Sequence, residues 1–269
     1  SVSASDGYQR LRRLFEEHSL LLFRNQQLSN DEHLALGELF GPIEIREHRP
    51  EEHQAQVSAV SNVTRNGGVA AQDSIHLQQL QANQLWHTDS TFLPVPALAN
   101  IITARVLPSS GGETELVSTR VAWRDLSDDI KRRVRGKVFC HRYANSRRQI
   151  SEALAQEDII TMWGDQRWNA IWPNPQTGDE ALYLASHIYG VEGMDESDGR
   201  DLLQELTNFC TQEKYVYTHN WRVGDVLIWD ERATMHRGCP WPYDEPRHLD
   251  SICISVRDCD GLGQMRPGN

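Results

Sequence analysis

His87 and Asp89 stand two positions apart, and His236 stands 147 positions beyond Asp89 (236 − 89 = 147). Two imidazoles and one carboxylate can occupy one face of an octahedral ion and leave three positions open, a donor set suited to non-haem Fe(II). A chain that uses all three residues at one ion must bring distant segments side by side. On an extended segment, side chains at i and i+2 project to the same face. His87 and Asp89 can therefore share an ion, and His236 must arrive on a strand folded back beside them. The triplet His-x-Asp alone is a short motif that arises by chance in a chain with 11 histidines. The other histidines, among them His18, His33, His48 and His53, read as surface or hydrogen-bonded core side chains.

A length of 269 residues with 39% hydrophobic and 24% charged content is ample for a buried core. No repeat, low-complexity tract or linker divides the chain, so a single domain over residues 1–269 is expected. The net charge of −11 argues against nucleic acid as a partner, because phosphate binding needs a basic surface. The longest apolar runs, such as Leu20 to Phe23, fall far short of the roughly 20 residues that span a bilayer, and no secretory signal pattern opens the sequence. Five cysteines, an odd number without a CxxC pair, read as free thiols in a reducing compartment. A cytoplasmic location is the expectation.

Apolar spacing predicts helices over 8–18 and 30–40, the second capped by Ser29 or Asn30 and stopped at Gly41-Pro42. Further helices are expected at 119–135 and 197–210. Strands are expected at 19–23, 57–60, 97–107, 137–143, 181–184, 215–218, 226–229 and 251–257. Two stretches lack a clear period: the polar segment near 61–82, read as a mobile loop beside the site, and the tryptophan-bearing segment 144–180. Both are expected to cover the core, with Trp163, Trp168 and Trp172 serving more in packing than in a pocket wall. Short strands punctuated by Gly, Pro and Asp, with a few helices, predict a mainly β chain with flanking helices and a double-sheet jelly-roll core.

The residues around the triplet form an ordered series. Asn83-Gln84-Leu85-Trp86-His87-Thr88-Asp89 is followed by Gly111-Gly112-Glu113-Thr114, by Trp221 to Asp230, by Arg232 to Gly238, and by Pro246-Arg247, 11 positions after His236. In order and spacing the series resembles the taurine/2,4-dichlorophenoxyacetate dioxygenase family over roughly residues 8–258. The resemblance implies a distorted double-stranded β-helix and an Fe(II)- and 2-oxoglutarate-dependent enzyme. His87, Asp89 and His236 would ligate the iron, while Arg247 and Thr114 would hold the distal carboxylate of 2-oxoglutarate. Arginine suits that role because its planar fork grips a carboxylate through two parallel bonds. Thr114 also reads simply as a β-branched strand residue.

The implied reaction consumes O2, converts 2-oxoglutarate to succinate and CO2, and oxidises a C–H bond of a small organic substrate. Hydroxylation is favoured over halogenation because the carboxylate ligand, Asp89, is present. Desaturation, epimerisation or ring formation would use the same iron site, and a non-catalytic metal-containing binding or sensor module is the non-enzymatic alternative. Homo-oligomers are common in the family. Asn83 matches a family position near the substrate, although it also reads as a turn residue, and Trp86 and Phe92 are candidates for the pocket wall or for core packing. Asp230 and Arg232 read as turn or supporting residues. The clearest departure is Ser251, where many members with anionic substrates carry a second arginine. Four residues after Arg247 on a strand, Ser251 should face the same pocket without a charge. Arg142, Arg147 and Arg148 could supply a cation instead, but a charge-rich run is expected to be solvated.

Overall fold

The structure, a computed structural model, describes residues 5–45 and 57–268. His48 and His53 lie outside the described residues. The strand Ala97–Val106 is buried along its first eight residues, as an apolar run must be when its sheet is covered on both faces. It pairs antiparallel with Val226–Asp230 on one side and His248–Ser255 on the other. Leu20–Phe23 and Ser58–Ser61 complete this five-stranded sheet at its edges. A second sheet sets Thr114–Ser118 between Val216–His219 and Thr234–Gly238. Two smaller antiparallel sheets come from Val138–His141 with Gln166–Asn169 and Ile188–Val191, and from Ile171–Pro173 with Glu180–Leu182.

Strand alternation sorts the side chains of the large sheet between two cores. One face sends Ile101, Ile228, Ile252 and Ile254 against Phe15 and Phe40 of the helices Ser5–His18 and Asn30–Phe40. The opposite face sends Ile102, Leu227, Trp229 and Leu249 against Leu116 of the second sheet. Both expected helices thus cover one side of the sheet. Ser29 begins the second with a capping box to Glu32, and Gly41 ends it.

Three segments differ from their sequence expectation. The polar stretch near 61–82 contains the helix Ile75–Ala82, capped by Ser74. With only Leu77 and Ala82 buried, it carries too short an apolar stripe to show a period. The run 119–135 divides into Thr119–Asp125 and Asp128–Val134, because Leu126 is extended and Ser127 caps a new helix. The segment 144–180 holds three short helices, Tyr143–Arg148, Glu152–Ala155 and Asp158–Thr161, before its strands. Trp168 and Trp172 are fully buried there, as packing residues.

A buried ion network ties the first helix to the large sheet. Arg232 donates to both carboxylate oxygens of Asp230 at 2.9 Å and to Glu16 at 2.6 Å, and Glu16 also accepts from Asn174. Asp230 and Arg232 are therefore anchors of the fold, with no place in the cavity lining. Removing one partner leaves the other charges buried without compensation. Arg232→Ala is expected to cost about 3–5 kcal/mol in urea unfolding, whereas Arg133→Ala, which breaks an exposed pair with Glu205, should cost less than about 1 kcal/mol. Equal losses would show that the buried network adds nothing.

Candidate active site

His87 and His236 are joined through their backbones. His87 N–H donates to the His236 carbonyl at 3.0 Å, and His236 N–H to the His87 carbonyl at 2.8 Å. The pairing brings the two rings to 4.2 Å between centroids. His87 Nε2 lies 3.6 Å from Asp89 Oδ1, and His236 Nε2 lies 3.8 Å from Asp89 Oδ2. One donor atom from each residue falls within 4.8 Å of the others, so the sequence-predicted triad converges. Burial lowers the pKa of both imidazoles, His236 to about 3. Both are therefore neutral, the form that ligates a metal. His87 Nδ1 meets the Leu85 carbonyl at 2.7 Å, which directs Nε2 toward the other two donors.

Asp89 is held by groups that sequence reading did not single out. Its N–H donates to the fully buried Glu231, which also accepts from the Trp229 indole. Burial, and then the nearby Asp89, hold Glu231 well above the usual carboxylate range. Asn100 donates to Asp89 Oδ2 at 2.8 Å, and Ser251 Oγ donates to Asn100 Oδ1 at 2.8 Å. Asn100 could have been noticed as the polar residue inside the apolar run Ala97–Val106. Glu231 carries no comparable signal, because an acid after a strand reads as a turn residue.

Arg247 is buried, and its Nε and Nη2 both donate to the Gly112 carbonyl, at 3.1 and 2.9 Å. Among the described residues no carboxylate lies within ion-pair distance of it, and burial pushes the guanidinium down to about 10, still charged at neutral pH. Its carbon lies 5.0 Å from the centroid of the Trp241 ring. The Gly111-Gly112 turn makes this possible. Both residues have positive φ, and a Cβ on Gly112 would lie 2.9 Å from Arg247 Nε. Thr114 accepts from the Trp221 indole at 3.0 Å, which leaves its hydroxyl proton available to another acceptor. A buried cation without a counter-ion, beside a hydroxyl donor, fits a carboxylate-bearing co-substrate.

The triad, Thr114 and Arg247 all line one cavity of about 540 Å³. Asn83 and Ser251 line it too, as expected, and Asn83 also accepts the Gly238 N–H through its backbone. Phe92 is on the cavity wall; Trp86 packs elsewhere, beneath Arg237. The expectation of solvated arginines holds for Arg142 and Arg148, which pair with Asp165 and Glu152 at the surface. It fails for Arg147, which is buried on the cavity wall, stacked 4.1 Å from the Tyr143 ring centroid and bonded to the Tyr143 hydroxyl. A short helix turns it inward where the sequence shows only a charge run. His187 joins the same wall, with Nδ1 2.9 Å from Ser146 Oγ.

The fold and this constellation define a non-haem iron oxygenase. The family model "Taurine catabolism dioxygenase TauD, TfdA family" matches residues 1–253, and the chain belongs to that family. It is 34% identical to the alpha-ketoglutarate-dependent 2,4-dichlorophenoxyacetate dioxygenase of Cupriavidus pinatubonensis, over 89% of this chain and 85% of that protein. It is 28% identical to the (S)-phenoxypropionate/alpha-ketoglutarate-dioxygenase of Sphingobium herbicidovorans, over 90% of this chain and 83% of that protein. The crystal structure of AAD-2 in complex with Mn(II) and N-oxalylglycine superposes with a TM-score of 0.86 at 27% identity, covering 94% of this chain and 90% of that one. The protein is an Fe(II)- and 2-oxoglutarate-dependent dioxygenase. No helix among the described residues is long and apolar enough to cross a membrane.

His141, buried behind the site with Nδ1 2.9 Å from Thr91 Oγ1, is also held down to about 3 by burial. A histidine with a lowered folded pKa contributes stability above its ordinary value near 6.5, and that stability is lost as pH falls toward the folded value. The melting temperature of the metal-free protein is expected to fall steadily between pH 6.5 and 3. His141→Gln should flatten that slope, and an unchanged slope would remove His141 from the account.

Proposed function

We propose that His87, Asp89 and His236 are the protein ligands of Fe(II), and that Arg247 with Thr114 receives the distal carboxylate of 2-oxoglutarate. We place both in a single domain over residues 1–269, whose two larger sheets form the distorted double-stranded β-helix, or jelly roll. The observation that carries this reading is the convergence of three metal donors and an unpaired buried guanidinium on one cavity. Bound iron and 2-oxoglutarate supply the oxidation of a substrate C–H bond, with O2 consumed and succinate and CO2 released. The residues do the rest. The neutral imidazoles offer Nε2 lone pairs, and Asp89 offers a negative charge that its neutral amide donor does not cancel. Trp229, Leu249 and Trp241 on the cavity wall limit water. With Asp89 in place as a carboxylate ligand, hydroxylation is favoured over halogenation. Five cysteines, none joined in a disulfide among the described residues, support a cytoplasmic setting.

His236→Ala should lose stoichiometric iron and turnover while its circular dichroism stays native. Arg247→Ala should keep iron but weaken 2-oxoglutarate, a loss on the order of 2–5 kcal/mol. Iron retained in the first variant, or an unchanged 2-oxoglutarate KM in the second, would overturn the corresponding role.

For the substrate, the activities that give the relatives their names and the walls of this cavity point the same way. Phe92 and Tyr143 offer aromatic faces, and Arg147 supplies the buried cation that Ser251 does not. The substrate is a small aromatic acid with its acid group directed to Arg147. Arg147→Gln should raise KM at least tenfold for phenoxyacetate-type acids and leave KM for an uncharged ester analogue little changed, with the exposed Arg148→Gln as control. Equal effects on acid and ester would remove Arg147 from substrate recognition.

A further inference from the structure

Position 251 has a partner rather than a vacancy. Asn100 stands opposite Cys253 in the ladder between the central strand and His248–Ser255, and Ser251 stands opposite Ile102. Asn100 and Ser251 are thus diagonal neighbours on the face that looks into the cavity. Both are buried, at 4% and 5% exposure, and both line the cavity. The Ser251 hydroxyl donates to Asn100 Oδ1, and Asn100 Nδ2 donates to Asp89 Oδ2, each at 2.8 Å. The chain of donors runs in one direction. If the amide were flipped, its oxygen would face the aspartate oxygen, two acceptors in contact inside a buried site. The carboxylate, an acceptor only, sets the orientation of the amide, and the serine hydroxyl donates to the amide oxygen that this orientation presents.

We infer that Asn100 and Ser251 are positioning residues for the metal-binding carboxylate of Asp89. Asn100 fixes the rotation of the carboxylate by engaging one oxygen with a neutral donor, which orders the group without neutralising its charge. Ser251 tethers the amide through its oxygen. In this chain the wall at position 251 therefore serves the metal ligand and is not free to read the substrate's acid group. The inference rests on the ligand assignment proposed above and assigns a task to two residues outside it. Groups that orient a ligand are typically worth about 10–100-fold in metal affinity.

The test is anaerobic titration of metal-free protein with Co(II), followed by visible absorption without turnover, in wild type and in His236→Ala, Asn100→Ala, Ser251→Ala and Ser251→Thr. Asn100→Ala is expected to weaken Co(II) by about 10–100-fold. Ser251→Ala should weaken it less, about 3–10-fold, because the amide keeps its bond to Asp89 but loses the donor that tethers its oxygen. Ser251→Thr keeps the hydroxyl and should restore wild-type affinity. The metal-free melting temperature separates positioning from folding, and it should move little in either serine variant. If Asn100→Ala does not fold, the two serine variants carry the test alone. Wild type that takes up no Co(II), or His236→Ala that binds it normally, overturns the ligand assignment and this inference with it. Normal wild-type binding, loss in His236→Ala and unchanged affinity in the Asn100 and Ser251 variants overturn this inference alone.

Discussion

Two backbone hydrogen bonds between His87 and His236 close a loop of 149 residues (236 − 87 = 149), and the site exists only while they hold. Closing so long a loop is entropically costly, and two bonds do not meet that cost. The sheets do. Thr234–Gly238 is locked to Thr114–Ser118, which presents His236 opposite Leu116. Thr88, between the two ligands of the first segment, donates to the carbonyls of Leu184 and Thr234. The triad is therefore a product of tertiary closure, and its geometry is only as rigid as the seam between the two sheets.

The inner face of the large sheet divides its labour along its length. Ile102, Leu227 and Leu249 build an apolar floor, while Asn100, Ser251 and Glu231 are polar groups buried within it or beside it. Burying polar groups is tolerable only when each finds a partner. Here the partners are one another and Asp89, so the requirement to satisfy buried groups and the requirement to orient a ligand are met by the same bonds. At the other end of the cavity Arg247 obeys the opposite logic. Among the described residues its buried guanidinium has a carbonyl and an aromatic ring beside it but no carboxylate within ion-pair distance, which leaves it a strong recipient for one.

Much of this was legible in the chain. The residues that converge on the cavity, His87, Asp89, His236, Arg247 and Thr114, stand out by order and spacing, and the principal strands and capped helices by apolar period and by Ser29 and Gly41. Ser251 also falls on the cavity, as strand geometry implied, and so does Asn83, as the family resemblance implied. What stayed hidden depends on contacts between segments. Arg147 looks like its neighbours Arg142 and Arg148 until a short helix turns it inward. The role of Ser251 was visible only as a missing charge, because its partner Asn100 lies 151 positions away. Glu231 and His187 are buried by elements from other parts of the chain, and nothing in their local sequence distinguishes them.

The two bonds from Arg247 to the Gly112 carbonyl have a directional consequence. A guanidinium has two edges that can take a carboxylate fork, one formed by Nε with Nη2 and one by Nη1 with Nη2. The first is occupied by Gly112. The second remains, so a carboxylate received as proposed would meet the arginine head-on, along the axis of its side chain. The glycine turn, by choosing which edge of the arginine is open, sets the direction from which a carboxylate can approach it.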